Sequence, residues 1–215
     1  MVAQYFSHVD TWVFDLDNTL YPPSADLFGQ MDGRFSAYVA RLTGLDRERA
    51  LALCGAYWDE YGSTLTGLML HYDVDPHHFL ADVHDIDISH LKVDEALRGH
   101  IGALRGRRIV YTNGSENHAK RVLAARGLTR VFDAVYGVEH ADFKPKPTEA
   151  AFGRVFAKDG VDPKRAAMFE DEARNLAVPH ALGMRTVLVH PDEADDDHIH
   201  HHTDNLSAFL SQLAR

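Results

Sequence analysis

The stretch WVFDLDNTLYPP, residues 12–23, ends a short apolar run in two aspartates one residue apart. Neither Asp15 nor Asp17 can be buried cheaply, and each raises the cost of charging the other. With Asn18 and Thr19 behind them, the pair points to a place that holds a cation and handles phosphate. The run that leads into them, Thr11–Phe14, has the apolar and aromatic character of a strand covered on both faces.

Three more runs share that character: Arg108–Thr112, Ala166–Glu170 and Arg185–Val189, with a weaker one at 132–137. Helical patterns lie between them. Ser115 is placed to cap a helix to about Arg126, with Gly127 as its stop. Thr148 opens another through Lys158, and a third runs from about Ala173 to Leu182, ending at Gly183. Strand alternating with helix means a parallel sheet wrapped by helices. Residues 24 to about 88 break the rhythm: Leu27, Phe28, Met31, Phe35, Val39 and Leu42 recur at helical spacing, and Asp46 opens a second run through Trp58. Pro76 starts a further short helix. The expected α/β chain therefore has a core of residues 1–20 plus 89–215 and an inserted all-helical cap at 21–88.

At 215 residues, 45% hydrophobic and 25% charged, the composition is that of an ordinary soluble globular protein. A formal charge of −10 argues against a nucleic-acid polymer or an anionic membrane as partner. It leaves room for a small anion, because a metal and a lysine can invert the local field. Cys54 is the only cysteine, so no intramolecular disulfide is possible, and its helical context suits a small buried residue. The first ten residues carry neither the basic nor the apolar region of a signal peptide, and no apolar run is long enough to span a bilayer. A cytoplasmic protein, monomer or homodimer, is expected. The acid- and histidine-rich segment Asp195–His202 reads as a polar loop before a last helix, Asn205–Leu213, rather than as a metal cluster.

In a parallel α/β sheet, ligands gather at the carboxyl ends of the strands. There the first strand delivers Asp15 and Asp17, the second Thr112-Asn113-Gly114, and a later one Glu170-Asp171. A loop before a helix adds Lys144-Pro145-Lys146-Pro147. Each type has a task in phosphoryl transfer. A carboxylate can attack phosphorus and divide a slow hydrolysis into two steps. Mg2+ offsets the repulsion, with Asp15 and Asp171 as ligands and Glu170 acting directly or through a water. The Thr112 hydroxyl and the backbone around Asn113 and Gly114 can hold phosphoryl oxygens. A lysine, of which Lys144 is the favoured one, adds positive charge, and Asp17 can protonate the leaving oxygen.

These four segments resemble, in order, the four motifs of the haloacid dehalogenase superfamily. The resemblance implies a Rossmann-like α/β fold, Asp15 as nucleophile, Asp17 as acid/base and Thr112 as the phosphate hydroxyl. It also implies Lys144 as the motif lysine, Glu170 and Asp171 as metal acids, and the Asp17 carbonyl as a further Mg2+ ligand. Dehalogenases of this group lack the second aspartate and need no metal, so Asp17 points to a phosphatase. Residues 17–22, 61–68 and 83–85 are similar to the pyrimidine 5′-nucleotidase branch, which implies nucleoside monophosphates such as UMP or CMP as substrates. Tyr21, Thr64 and Leu65 are then candidate specificity residues. A sugar-phosphate or phosphoglycolate phosphatase, a phosphomutase and a non-catalytic phosphate sensor are the alternatives. Glu172 departs from the pattern, standing where a serine is common.

Overall fold

The computed structural model describes residues 2–192, 194 and 196–213. Strand β1 (Thr11–Phe14) lies inside a six-stranded sheet with β2 (Arg107–Tyr111), β3 (Ala134–Tyr136), β4 (Ala166–Glu170), β5 (Arg185–Val189) and β6 (His201–Thr203). The order is β3-β2-β1-β4-β5-β6, and every pairing is parallel. The chain thus builds outward from β1 on one side, then returns to its other side with β4. That reversal opens a crevice at the carboxyl ends of β1, β2 and β4, where α/β proteins place ligands.

Alternation along β1 splits its side chains between two cores. Trp12 and Phe14 join one hydrophobic cluster with Leu97, Ile101, Leu123 and Phe209. Val13 joins another with Ile109, Phe152, Val155 and Met168. All four residues of β1 and all five of β4 are buried, which explains why both read as continuous apolar runs. Phe14 and Phe169 are paired across the ladder, their rings stacked 4.7 Å apart.

After β1 the chain forms four helices: α1 (Leu27–Thr43), α2 (Arg47–Tyr61), α3 (Thr64–His71) and α4 (Pro76–Val83). Asp46, Ser63 and Asp75 each cap the helix that follows with a side-chain oxygen. These helices share a third cluster built on Tyr38, Val39, Cys54, Tyr57, Leu68 and Phe79, whereas Leu27 and Met31 of α1 pack into the sheet's own core. Helices α5 (Glu95–Ala103), α6 (Glu116–Ala125) and α9 (Leu206–Ser211) supply the first cluster, and α7 (Glu149–Asp159) supplies the second, with α8 (Ala177–Ala181) beside it. Buried Arg126 ties the exit from β1 to the return segment. Its guanidinium donates to the carbonyls of Leu20 and Lys92 and to the carboxylate of Asp94.

Several boundaries differ from the sequence reading. Strand β2 ends at Tyr111, which leaves Thr112 in the loop. Thr148 precedes α7, but its hydroxyl donates to the carbonyl of Pro145 rather than capping the helix. The stretch after Glu172 opens as a 3-10 turn over Ala173–Leu176 before becoming α8. The histidine-rich segment, of which Asp195 lies outside the described residues, is not all loop: His201–Thr203 form β6 against β5. His200 is hydrogen-bonded to Thr186, and His202 to the carbonyl of His190.

Candidate active site

Asp15 and Asp17 leave β1 where the strand has just emerged from its two cores. Asn18 follows with φ of 57°, a left-handed conformation that Asn tolerates better than most residues. The turn lets its amide donate to Asp171 Oδ2 at 3.3 Å. Both aspartates are buried, at 5% and 8% exposure.

Their surroundings differ sharply. Lys146 Nζ donates to Asp15 Oδ1 at 2.6 Å, to Glu170 Oε1 at 2.9 Å and to the carbonyl of Tyr111 at 3.1 Å. Lys146 is 1% exposed, whereas Lys144 is exposed on the surface. The lysine expected at the site is therefore replaced by its neighbour two residues on. The reason lies in Asn113, whose Oδ1 accepts from the Lys146 N–H at 2.7 Å while its Nδ2 donates to the Lys146 carbonyl at 3.2 Å. That two-way clamp aims the Lys146 side chain under the acids. Asn113 thus joins two loops.

Asp17 faces a different set. The Tyr21 hydroxyl donates to its Oδ1 at 2.7 Å and His118 Nε2 to the same atom at 3.0 Å, while the Thr112 hydroxyl stands 3.5 Å from Oδ2. Tyr21, taken from the sequence as a specificity residue, is 2% exposed and lies behind Asp17 instead of lining the cavity. Thr112 also accepts from the Gly114 N–H at 2.9 Å. A Cβ on Gly114 would meet His118, Thr112 and His84 at 3.3–3.5 Å, so the glycine makes room for the two histidines. His84, at the end of α4, stacks on His118 with centroids 4.4 Å apart.

The charges are lopsided. Carboxylate oxygens of Asp15, Glu170 and Asp171 lie within 4.8 Å of one another, with Lys146 as the cation among them. Burial, then the charge of Glu170, hold the Asp15 carboxyl well above its ordinary range despite Lys146. Burial and the charges of Glu170 and Asp15 push Asp171 up to about 10. Burial alone would raise Asp17 too, but the charge and hydrogen bond of His118, with the Tyr21 hydrogen bond, bring it below the usual carboxylate range. The three crowded acids form an all-oxygen donor set, and two of them, Asp15 and Asp171, resist ionisation, which fits a hard divalent cation such as Mg2+. Glu170 is fully buried, its Oε1 already shared by Lys146 and Asn175, so Asp15 and Asp171 are the more available ligands. Glu172 is exposed at the rim.

A stability test follows from these shifts. A carboxyl that the fold keeps protonated holds a proton which the unfolded chain releases above about 3.8, so the metal-free protein loses stability as pH rises from there toward 10. Asp17 works in the opposite sense below the ordinary carboxylate range, and His84 and His200, held neutral mainly by burial, do so until the unfolded chain loses its histidine protons around 6.5. Thermal melting should show the metal-free protein more stable at about pH 7.5 than at about pH 9, above the range where the histidines contribute, and Mg2+ should raise the melting temperature more at the higher pH. Melting that ignores both pH and Mg2+ would remove the three acids as a cation site.

The acids open into a cavity of about 630 Å3. Its far wall is apolar and aromatic, with Phe28, Phe35, Trp58 and Phe79 from the helical segment, and Thr64 and Leu65 also border it. The Thr64 hydroxyl is already spent on the carbonyl of Cys54. Cys54 borders the cavity as well, but burial pushes its thiol up to about 11, which leaves it a poor nucleophile. Arg174 lays its guanidinium 3.5 Å over the Trp58 ring at the mouth.

A sequence model described as haloacid dehalogenase-like hydrolase matches residues 9–183. The chain belongs to that family. The chain is 26% identical over 192 residues to phosphate metabolism protein 8 of Saccharomyces cerevisiae, covering 81% of the chain and 60% of that protein's length. Its fold resembles a haloacid dehalogenase-type phosphatase from Thermococcus onnurineus, at a TM-score of 0.65 and 15% identity over 95% of this chain and 98% of that one. It also resembles a 2-haloacid dehalogenase from Pseudomonas syringae, at 0.58 and 23% over 96% and 99%. The fold is thus shared with proteins named for two different chemistries. Among the described residues, no helix is long and apolar enough to cross a membrane.

The sequence reading missed His118 and Asn175 and gave Tyr21 a different role. Tyr21 and His118 touch Asp17, and Asn175 donates to Glu170. A usable signal existed for His118: it falls on the apolar face of α6 beside Ala119, Val122 and Leu123, just after Thr112-Asn113-Gly114.

Proposed function

We propose that the protein is a Mg2+-dependent phosphomonoesterase working through an aspartyl phosphate on Asp15. The observation that carries this reading is the separation of the two aspartates into different environments: Asp15 shares a lysine with an acid cluster, while Asp17 is held by a tyrosine hydroxyl and an imidazole. A dehalogenase has no use for the second carboxyl.

Asp15, Asp171 and the Asp17 carbonyl would hold Mg2+, with Glu170 behind them. The bound ion supplies charge neutralisation between carboxylate and phosphate dianion. Lys146 occupies Asp15 Oδ1, leaving Oδ2 to attack phosphorus. As the ester P–O bond breaks, Asp17 gives a proton to the leaving oxygen, its pKa raised by the dianion beside it. Asp17 then takes a proton from water, which attacks phosphorus, breaks the P–O bond to Asp15 and releases inorganic phosphate. The Thr112 hydroxyl and the amides after it are placed to hold phosphoryl oxygens.

For the substrate, we favour a pyrimidine nucleoside monophosphate such as UMP or CMP, selected by a cap formed from residues 21–88. Flat aromatic walls at Phe28, Phe35, Trp58 and Phe79 suit a base, and the segment resembling the nucleotidase branch supplies Thr64 and Leu65. Sugar-phosphate or phosphoglycolate hydrolysis, or a phosphomutase reaction, is the competing reading on the same scaffold. Comparing kcat/KM for UMP, CMP, glucose 6-phosphate, phosphoglycolate and p-nitrophenyl phosphate with Mg2+ decides among them. UMP and CMP should lead by about tenfold or more, a difference of about 1.4 kcal/mol in transition-state binding. Equal values would end the nucleotidase reading, and no Mg2+-dependent phosphate release from folded protein would end the phosphatase reading.

A further inference from the structure

We propose that His118 and Tyr21 act together as positioning residues for Asp17, fixing which of its oxygens handles the proton. The inference rests on the phosphomonoesterase reading. Both donors converge on Oδ1, at 2.7 and 3.0 Å, so Oδ2 is the oxygen left toward Thr112 and the cavity. A carboxyl group rotates freely about its last bond, and a single donor only restrains that rotation. Two donors on one oxygen fix it. An acid/base group has to lie within hydrogen-bond reach of the oxygen it serves, and small misplacements cost much rate.

The arrangement has the marks of a dedicated support. His118 is 1% exposed, and with no hydrogen-bond partner at its Nδ1, the ring makes its one side-chain hydrogen bond through Nε2, to Asp17. The Tyr21 hydroxyl likewise donates to Asp17 alone. Apolar residues would fill both positions without burying two polar groups beside a carboxylate. His84 completes the support from behind. Its ring lies nearly parallel to that of His118, 13° apart, and its Nδ1 is bonded to Ser115 Oγ at 3.2 Å. Ser115 caps α6 by accepting from the His118 N–H, so one hydroxyl sets the backbone of His118 and the ring stacked on it.

The test separates positioning from general structural damage by leaving group and by step. Tyr21→Phe, His118→Phe and His118→Gln are compared with wild type, with Mg2+ present, on p-nitrophenyl phosphate and on whichever alkyl monophosphate is turned over fastest. An alkoxide needs a proton to leave, whereas p-nitrophenolate does not, and both esters share the second step, in which Asp17 acts as base. His118→Phe should lower kcat on the alkyl ester about 100-fold with KM changed less than about threefold. The first-turnover release of p-nitrophenolate should fall least, so that a burst appears ahead of a slow steady state. Tyr21→Phe, which deletes one oxygen and keeps the ring, should show the same ordering more weakly. His118→Gln, which keeps a donor, should recover most of the alkyl-ester rate. Equal losses on both esters and in both phases, or a His118→Gln protein no better than His118→Phe, would overturn the proposal in an active wild-type background. A wild-type protein that turns over neither ester overturns the phosphatase reading and this inference with it.

Discussion

Asp15→Asn should lower kcat by about 10,000-fold or more on every phosphate ester while making the metal-free protein more stable. An amide has the shape of the carboxylate but is no nucleophile toward phosphorus, so no aspartyl phosphate forms. The same change removes one acid of the crowded cluster, where burial and Glu170 hold Asp15 well above its ordinary range. Relief of that repulsion should raise the melting temperature in a chelator and reduce its response to Mg2+. Phosphate release and thermal melting on one preparation check both halves. Substantial residual turnover would take Asp15 out of the nucleophile role, and a melting temperature that falls would show that the acids do not repel as the geometry indicates.

Lys146→Met should be nearly as damaging to activity and, unlike Asp15→Asn, should also destabilise the fold. Methionine retains much of the buried stem but leaves Asp15 and Glu170 without the ammonium between them. Breaking a buried pair on one side costs about 3–5 kcal/mol. Loss of a charge that supports the nucleophile and the transferring group should lower kcat by about 100- to 1,000-fold. Lys144→Met, two residues away on the exposed surface, should change stability by less than about 0.5 kcal/mol and leave kcat within about twofold. Urea unfolding and steady-state rates on the two variants make the comparison, and the reverse pattern would mean that the motif lysine is Lys144 after all.

What the sequence made legible follows the length of the physical signal. Strands β1, β4 and β5 stand at their expected bounds because both faces are buried and most of their residues are apolar. β6 carried no such mark: His201, His202 and Thr203 are half-buried at an edge, where pairing with β5 rather than apolar burial makes the strand. Helix α5 escaped because its nine residues include Gly99 and Gly102, and only Leu97 and Ile101 are fully buried apolar residues. At the site, residue types and their order along the sheet brought Asp15, Asp17, Thr112, Glu170 and Asp171 to one rim. The lysine was harder, since Lys144 and Lys146 are chemically alike, and the choice was made by an amide more than 30 residues away in sequence, on Asn113. The partners of Asp17 were hidden for a similar reason: nothing near His118 in the sequence announces an aspartate 101 residues earlier.

The stacked pair Phe14 and Phe169 has a consequence for how inactive variants of this protein will be distributed. Each ring immediately precedes an acid, Asp15 on one strand and Glu170 on the other, and the two rings face each other across the ladder. A slip of one residue between those strands would turn the acids to opposite sides of the sheet. The spacing of the charged cluster is therefore enforced one layer below it by hydrocarbon contact. Random mutagenesis scored for lost turnover should collect changes at these two phenylalanines alongside the charged residues, although neither ring borders the cavity.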